Sequence, residues 1–115
     1  MTDRKALRRA YKETPRPMGV YAVRNTVDGM VLLGGSTDLP GMLNRQRFQL
    51  ENHASPYRQL QADWDRLGEG AFGFEVLDTL EPPDEPGFDA TEDLAQLVEM
   101  WRERLGLAEE QLYRR

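Results

Sequence analysis

Met18-Gly19-Val20-Tyr21-Ala22-Val23-Arg24-Asn25, then Thr26-Val27-Asp28-Gly29, then Met30-Val31-Leu32-Leu33-Gly34-Gly35 is the stretch that decides the fold of this chain. Two apolar runs flank a short polar turn. Asp-Gly between such runs is a strong local hairpin signal, because glycine reaches positive φ without steric cost. The reading is a strand over Gly19–Asn25, a turn over 26–29 and a second strand over Met30–Gly35.

Ahead of the hairpin, Asp3 to Lys12 reads as a short helix. Leu7, Ala10 and Tyr11 share one face and arginines take the other, and Pro15 and Pro17 end it. Residues 1–17 are thus expected to form a basic N-terminal helix, and residues 18–115 one compact domain. After the hairpin, Thr37 or Asp38 caps a helix over Leu39–Glu51. Pro40 fits its first turn, where a missing N–H is harmless. Ser55 and Pro56 are placed to open a further helix that runs to Leu67. Tyr57, Leu60 and Trp64 form its stripe and Gly68 its stop. Phe72 to Leu80 reads as a third strand, with Phe72, Phe74 and Val76 on one side. Glu81 to Gly87, with three prolines among acids, is a stiff exposed linker. Asp89 or Thr91 caps a last helix through Leu105, on which Leu94, Leu97, Val98 and Trp101 form the buried stripe. Gly106 follows it, and no periodicity marks the final nine residues. The expected order is α-β-β-α-α-β-α: an α+β fold with a small three-stranded, mostly antiparallel sheet flanked by helices.

Composition excludes several chemistries. The 115 residues contain no cysteine and one histidine, His53, so disulfides, thiolate metal sites and multi-histidine sites are ruled out. No run of ~20 apolar residues is present to span a membrane, and a cytoplasmic protein is the expectation. Net charge is −5, but it is unevenly spread. Residues 1–25 hold seven basic side chains against two acids, and residues 75–115 hold four against twelve. A basic start is suited to phosphate contact, whereas an acidic total is unusual for a nucleic-acid binder. A solvated polar surface is the plainer account of the basic start.

Several of these segments together resemble the GIY-YIG nuclease family. They are the hairpin, Asn25-Thr26 before its turn, and Ser36-Thr37-Asp38-Leu39 opening the next helix. Leu60 to Trp64, Gly68, and Phe72 to Leu77 continue the match. The likeness covers Met18 to Leu80, with looser agreement to Leu105. It implies a metal-dependent phosphodiester hydrolase using two hairpin tyrosines, a helix arginine and a later metal-binding glutamate. Position by position, Tyr21 stands at the first tyrosine and Leu32 at the second. Met42 falls at the arginine and Val98 at the glutamate, and Tyr113-Arg114 falls where an asparagine is often found. Methionine and valine cannot hold Mg²⁺, which demands oxygen ligands. The expectation is a catalytically inactive domain without cofactor that binds nucleic acid or protein. Tyr21 would be vestigial, and Arg4, Arg8, Arg9, Arg45 and Arg47 would meet phosphate.

The alternative is a divergent Mg²⁺-dependent endonuclease with Tyr21 as general base and Glu75 or Glu99 in a rearranged site. Against it, Glu99 points about 100° away from Val98 around the helix, and strand alternation puts Glu75 opposite Phe74. His53 reads as a surface or capping residue, and Trp64 and Trp101 as core. Met42, Leu32 and Val98 read as repacked core or the lining of a ligand pocket. A homodimer through the 94–105 helix is a further possibility.

Overall fold

The computed structural model describes residues 16–81 and 87–115. The expected N-terminal helix and most of the expected 81–87 linker lie outside the described residues. The described elements are β1 (Met18–Asn25), β2 (Val31–Ser36), α1 (Leu39–Glu51), α2 (Arg58–Leu67), β3 (Phe72–Leu80) and α3 (Thr91–Arg104). Short 3-10 turns occupy Glu69–Ala71 and Glu109–Gln111.

The three strands are ordered β2-β1-β3, and both pairings are antiparallel. Tyr21 lies opposite Gly34, and Val23 opposite Leu32. An irregularity between Val20 and Tyr21 pairs Val20 with Asp78 but Tyr21 with Val76. One sheet face carries Tyr21, Val23, Leu32, Phe72 and Phe74. They pack against Leu39 and Leu50 of α1, Leu60 and Trp64 of α2, and Tyr113. On the other face α3 approaches β2, where Leu94 and Val98 lie beside Gly35. Burial of each such leucine contributes roughly 1.5–3 kcal/mol, so this two-sided core is what holds the sheet in place.

Local chemistry explains the element boundaries. Asn25 is fully buried, and its side-chain oxygen accepts the N–H groups of Val27 and Asp28, both at 3.0 Å. Gly29 closes the hairpin turn at φ 79°. Asp38 caps α1 by accepting the Gly41 N–H at 3.1 Å. The second helix begins at Arg58, two residues later than Pro56 was expected to start it. Ser55 Oγ accepts the Tyr57 N–H at 3.1 Å and closes a turn, which leaves Tyr57 extended. Asp89 does not cap α3 directly: its carboxylate takes both the N–H and the hydroxyl of Thr91. Gly106, at φ 65°, ends that helix as expected.

One expectation needs correction. Trp101 is not core but half-buried; its indole N–H donates to Asp78 at 2.8 Å, and the Arg104 guanidinium lies 5.1 Å over the ring. The final nine residues, which no periodicity marks, are structured. Leu112 forms a parallel bridge with Val31, and the Tyr113 N–H donates to the Val31 carbonyl at 2.9 Å. The tail therefore covers the start of the β2 edge.

Tyr113 is the anchor of that tail. Its hydroxyl donates to Asp63 at 2.7 Å and accepts from the Asn25 amide at 3.0 Å. Gln59 and Arg66 also donate to Asp63, and Arg66 reaches Asp28 at 2.6 Å. Burial works to raise the Asp63 carboxyl, yet the donors from Tyr113, Gln59 and Arg66 outweigh it and hold it below its ordinary range. Burial and the adjacent Asp63 push the Tyr113 phenol well above 10.

Candidate functional site

The site is built around Tyr21. Its ring is 4% exposed and lies on the β1 face toward α1, directly across from Gly34. A methyl group at position 34 would sit 2.8 Å from the Tyr21 hydroxyl oxygen. Glycine there is what makes room for the phenol. Above the ring opens a cavity of about 310 Å³ lined by Tyr21, Met42, Arg45, Gln46, Gln49, Ala54, Pro56, Tyr57 and Arg115. Burial, reinforced by nearby Tyr57, raises the Tyr21 phenol to about 12 against the opposing pull of Gln46, Arg115 and Arg45. At neutral pH the group is a protonated phenol.

Gln46 forms the floor of this cavity. It is 4% exposed, and its Oε1 is buried without a hydrogen-bond partner. Its Nε2 acts as a donor toward the Tyr21 hydroxyl and lies 3.6 Å from Met42 Sδ. The unfilled capacity of the site is therefore that of one buried acceptor, Gln46 Oε1. Arg45 and Arg115 are exposed at the rim, and Arg115 lies 5.4 Å over the Tyr57 ring.

Met42 links this cavity to a second one of about 570 Å³. The latter is bounded by Gly34, Gly35, Ser36, Thr37, Met42, Thr91, Leu94, Ala95 and Val98. Tyr21, Met42 and Val98 are thus gathered around the end of β2, two at each cavity, with Met42 common to both. Leu32 is 3% exposed and sits in the core beside Val23. Among the described residues no Asp or Glu lines either cavity.

The acids considered from the sequence lie elsewhere. Glu75 sits opposite Ala22, on the sheet face away from Tyr21, and pairs with Arg24 at 2.6 Å. Glu99 lines a third cavity with Arg102, Glu109, Tyr113 and Arg114. Arg102 grips its carboxylate and holds it below its ordinary range. Arg47 leaves the Tyr21 cavity to stack 4.3 Å over Phe74. His53 is 71% exposed in its side chain, follows α1 at φ 55°, and contacts Asp65 at 3.0 Å. Arg4, Arg8 and Arg9 lie outside the described residues.

The structure brings in Gln46, Gln49, Tyr57 and Arg115, which were not read as site residues. Gln46 does have a sequence signal. It falls on the apolar spacing Leu39–Met42–Gln46–Leu50, where a polar side chain is out of place. Arg115 has none, because its position depends on the Tyr113 anchor.

A divalent metal does not fit here. Around the end of β2 the side chains are apolar, amide, hydroxyl and guanidinium. Among the described residues no group of three or more His, Asp or Glu is placed to hold an ion.

The chain is similar in structure to the catalytic domain of the homing endonuclease I-TevI. The TM-score is 0.64 at 22% identity, covering 84% of this chain and 95% of that one. It is likewise similar to a mutant of the catalytic domain of the intron endonuclease I-TevI, with TM-score 0.66 at 20% identity over 85% and 92%. The likeness is one of fold: an α+β catalytic-domain architecture of the GIY-YIG type. No protein-family model matches the sequence, and neither does any curated protein.

Proposed function

We propose that this chain is a nuclease-like domain that binds nucleic acid without cleaving it. The single observation that carries this reading is the lining of the Tyr21 cavity, which has two guanidiniums and no Asp or Glu among the described residues. Such a lining attracts a phosphate but cannot hold the ion that would activate water against it. Losing one transition-state donor typically costs about 10² to 10³ in rate. An apolar residue at each of three family positions therefore leaves no more than background turnover.

The test pairs binding with cleavage on single- and double-stranded DNA and RNA, in Mg²⁺ and in Mn²⁺. The expected result is salt-sensitive binding and no product above blank. With Arg45, Arg47 and Arg115 at the surface, log K should fall against log salt with a slope of about −2 to −3. Robust cutting that Glu75→Ala or Glu99→Ala abolishes overturns the reading in favour of a rearranged endonuclease. A homodimer through α3 has one observation behind it: Met100 is 48% exposed on that helix. Sedimentation of the wild-type chain and Met100→Glu tests it, with a monomer in both ruling it out.

A further inference from the structure

The cavity over Tyr21 presents two unlike demands. Arg45 and Arg115 at its rim call for negative charge, while the buried Gln46 amide calls for a neutral hydrogen-bonding group. Inorganic phosphate answers the first and leaves the second open. A purely neutral ligand does the reverse. Two guanidiniums match the near-double charge of a phosphate monoester better than the single charge of a diester within a strand. Arg115 is held by the Tyr57 ring, and this braces its planar fork for a two-point grip. A cavity of about 310 Å³ stands at the small end of ligand pockets and admits one compact ligand.

We infer that this cavity takes a nucleotide bearing a terminal phosphate monoester, with the phosphate on Arg45 and Arg115 and the base or sugar edge on Gln46. The inference rests on the nucleic-acid reading above and narrows it to one end of a strand or to a free mononucleotide. Either source offers the same chemistry. The base or sugar edge supplies the donor that Gln46 Oε1 lacks.

The experiment is titration calorimetry on the full chain. The probes are nucleoside 5′-monophosphates, inorganic phosphate, and oligonucleotides with and without a 5′-phosphate. Nucleoside monophosphates should bind more tightly than inorganic phosphate and should displace a 5′-phosphorylated strand. Arg45→Ala and Arg115→Ala should each weaken them by about tenfold or more. Gln46→Leu should weaken nucleotide binding by about tenfold while leaving inorganic phosphate unaffected. Should Gln46→Leu not fold, the exposed Arg115→Ala and the phosphate comparison keep the test decisive. Tighter binding of the strand than of the mononucleotide assigns the strand end as the source, and the reverse order assigns the free nucleotide.

Equal affinity for inorganic phosphate, or for strands with and without the terminal phosphate, overturns the inference. In the latter case strand binding itself persists, so the broader reading stands. Mononucleotide binding without any strand binding sustains the cavity assignment and removes the broader reading.

Discussion

Two buried polar clusters lie on the same side of the sheet, and they are finished to different degrees. Around Asp63 every partner is met: Tyr113, Gln59 and Arg66 donate to the carboxylate, and Asn25 donates to Tyr113 while capping the hairpin turn. Around Tyr21 the arrangement stops short, because Gln46 keeps a buried oxygen with no donor. A satisfied network rigidifies a fold, whereas a buried polar group left unmet is a cost that packing alone does not offset. The Asp63 cluster ties the fold together, and the Tyr21 cluster leaves a buried acceptor without a donor.

The comparison breaks most readily at Asp63. Asp63→Ala strands the Tyr113 hydroxyl and loosens the tail, and should cost about 3 kcal/mol in urea unfolding. An unchanged midpoint would mean the network is ornamental. Gly34→Ala comes next, because the new methyl presses on the Tyr21 phenol. A loss of about 2 kcal/mol and a narrowed cavity are expected, read by unfolding and by nucleotide titration.

Alkaline titration probes both clusters together. The folded state holds the Tyr21 proton up to about 12, against 10 for the free side chain, and Tyr113 is shifted in the same direction. Stability should therefore be full below pH 10 and fall as pH rises through about 12, by about 2 kcal/mol for Tyr21 alone. Phenolate absorbance should show Tyr21 and Tyr113 ionising late. At the acid end the sign reverses for Asp63, whose folded pKa is depressed. Its contribution is present above the ordinary carboxylate range and is lost as pH falls through the lowered value.

The smallest effect separates the clusters best. Gln46→Leu should leave stability unchanged or raise it by about 0.5 kcal/mol, since it removes an unmet group at little change in volume. A marked loss on this substitution would place Gln46 with the structural network instead.

Much of the architecture was legible from local pattern. Asp28-Gly29 marks the hairpin, Asp38-Leu39-Pro40 opens α1, and Phe72 to Leu80 alternates as a strand should. These signals lie within a few residues of what they specify. The tail was not legible, because Tyr113 is fixed by partners 50 and 88 positions away, and no period along nine residues encodes that. The site was legible in part. Met42 and Val98 pointed to the cavity walls, whereas Leu32 belongs to the core. The cationic rim was only half visible, since Arg45 sits on a readable helix and Arg115 arrives through the tail.

Gly19 carries a wider lesson. A side chain there would run into the Asp78 carbonyl oxygen and sit 2.7 Å from the Thr79 Cα on the adjacent strand. The glycine that heads the hairpin pattern is therefore a steric requirement of the sheet, independent of any turnover. Any chain that keeps this sheet will display that letter whatever its chemistry, so its presence reports the shape and is silent on whether anything is cut.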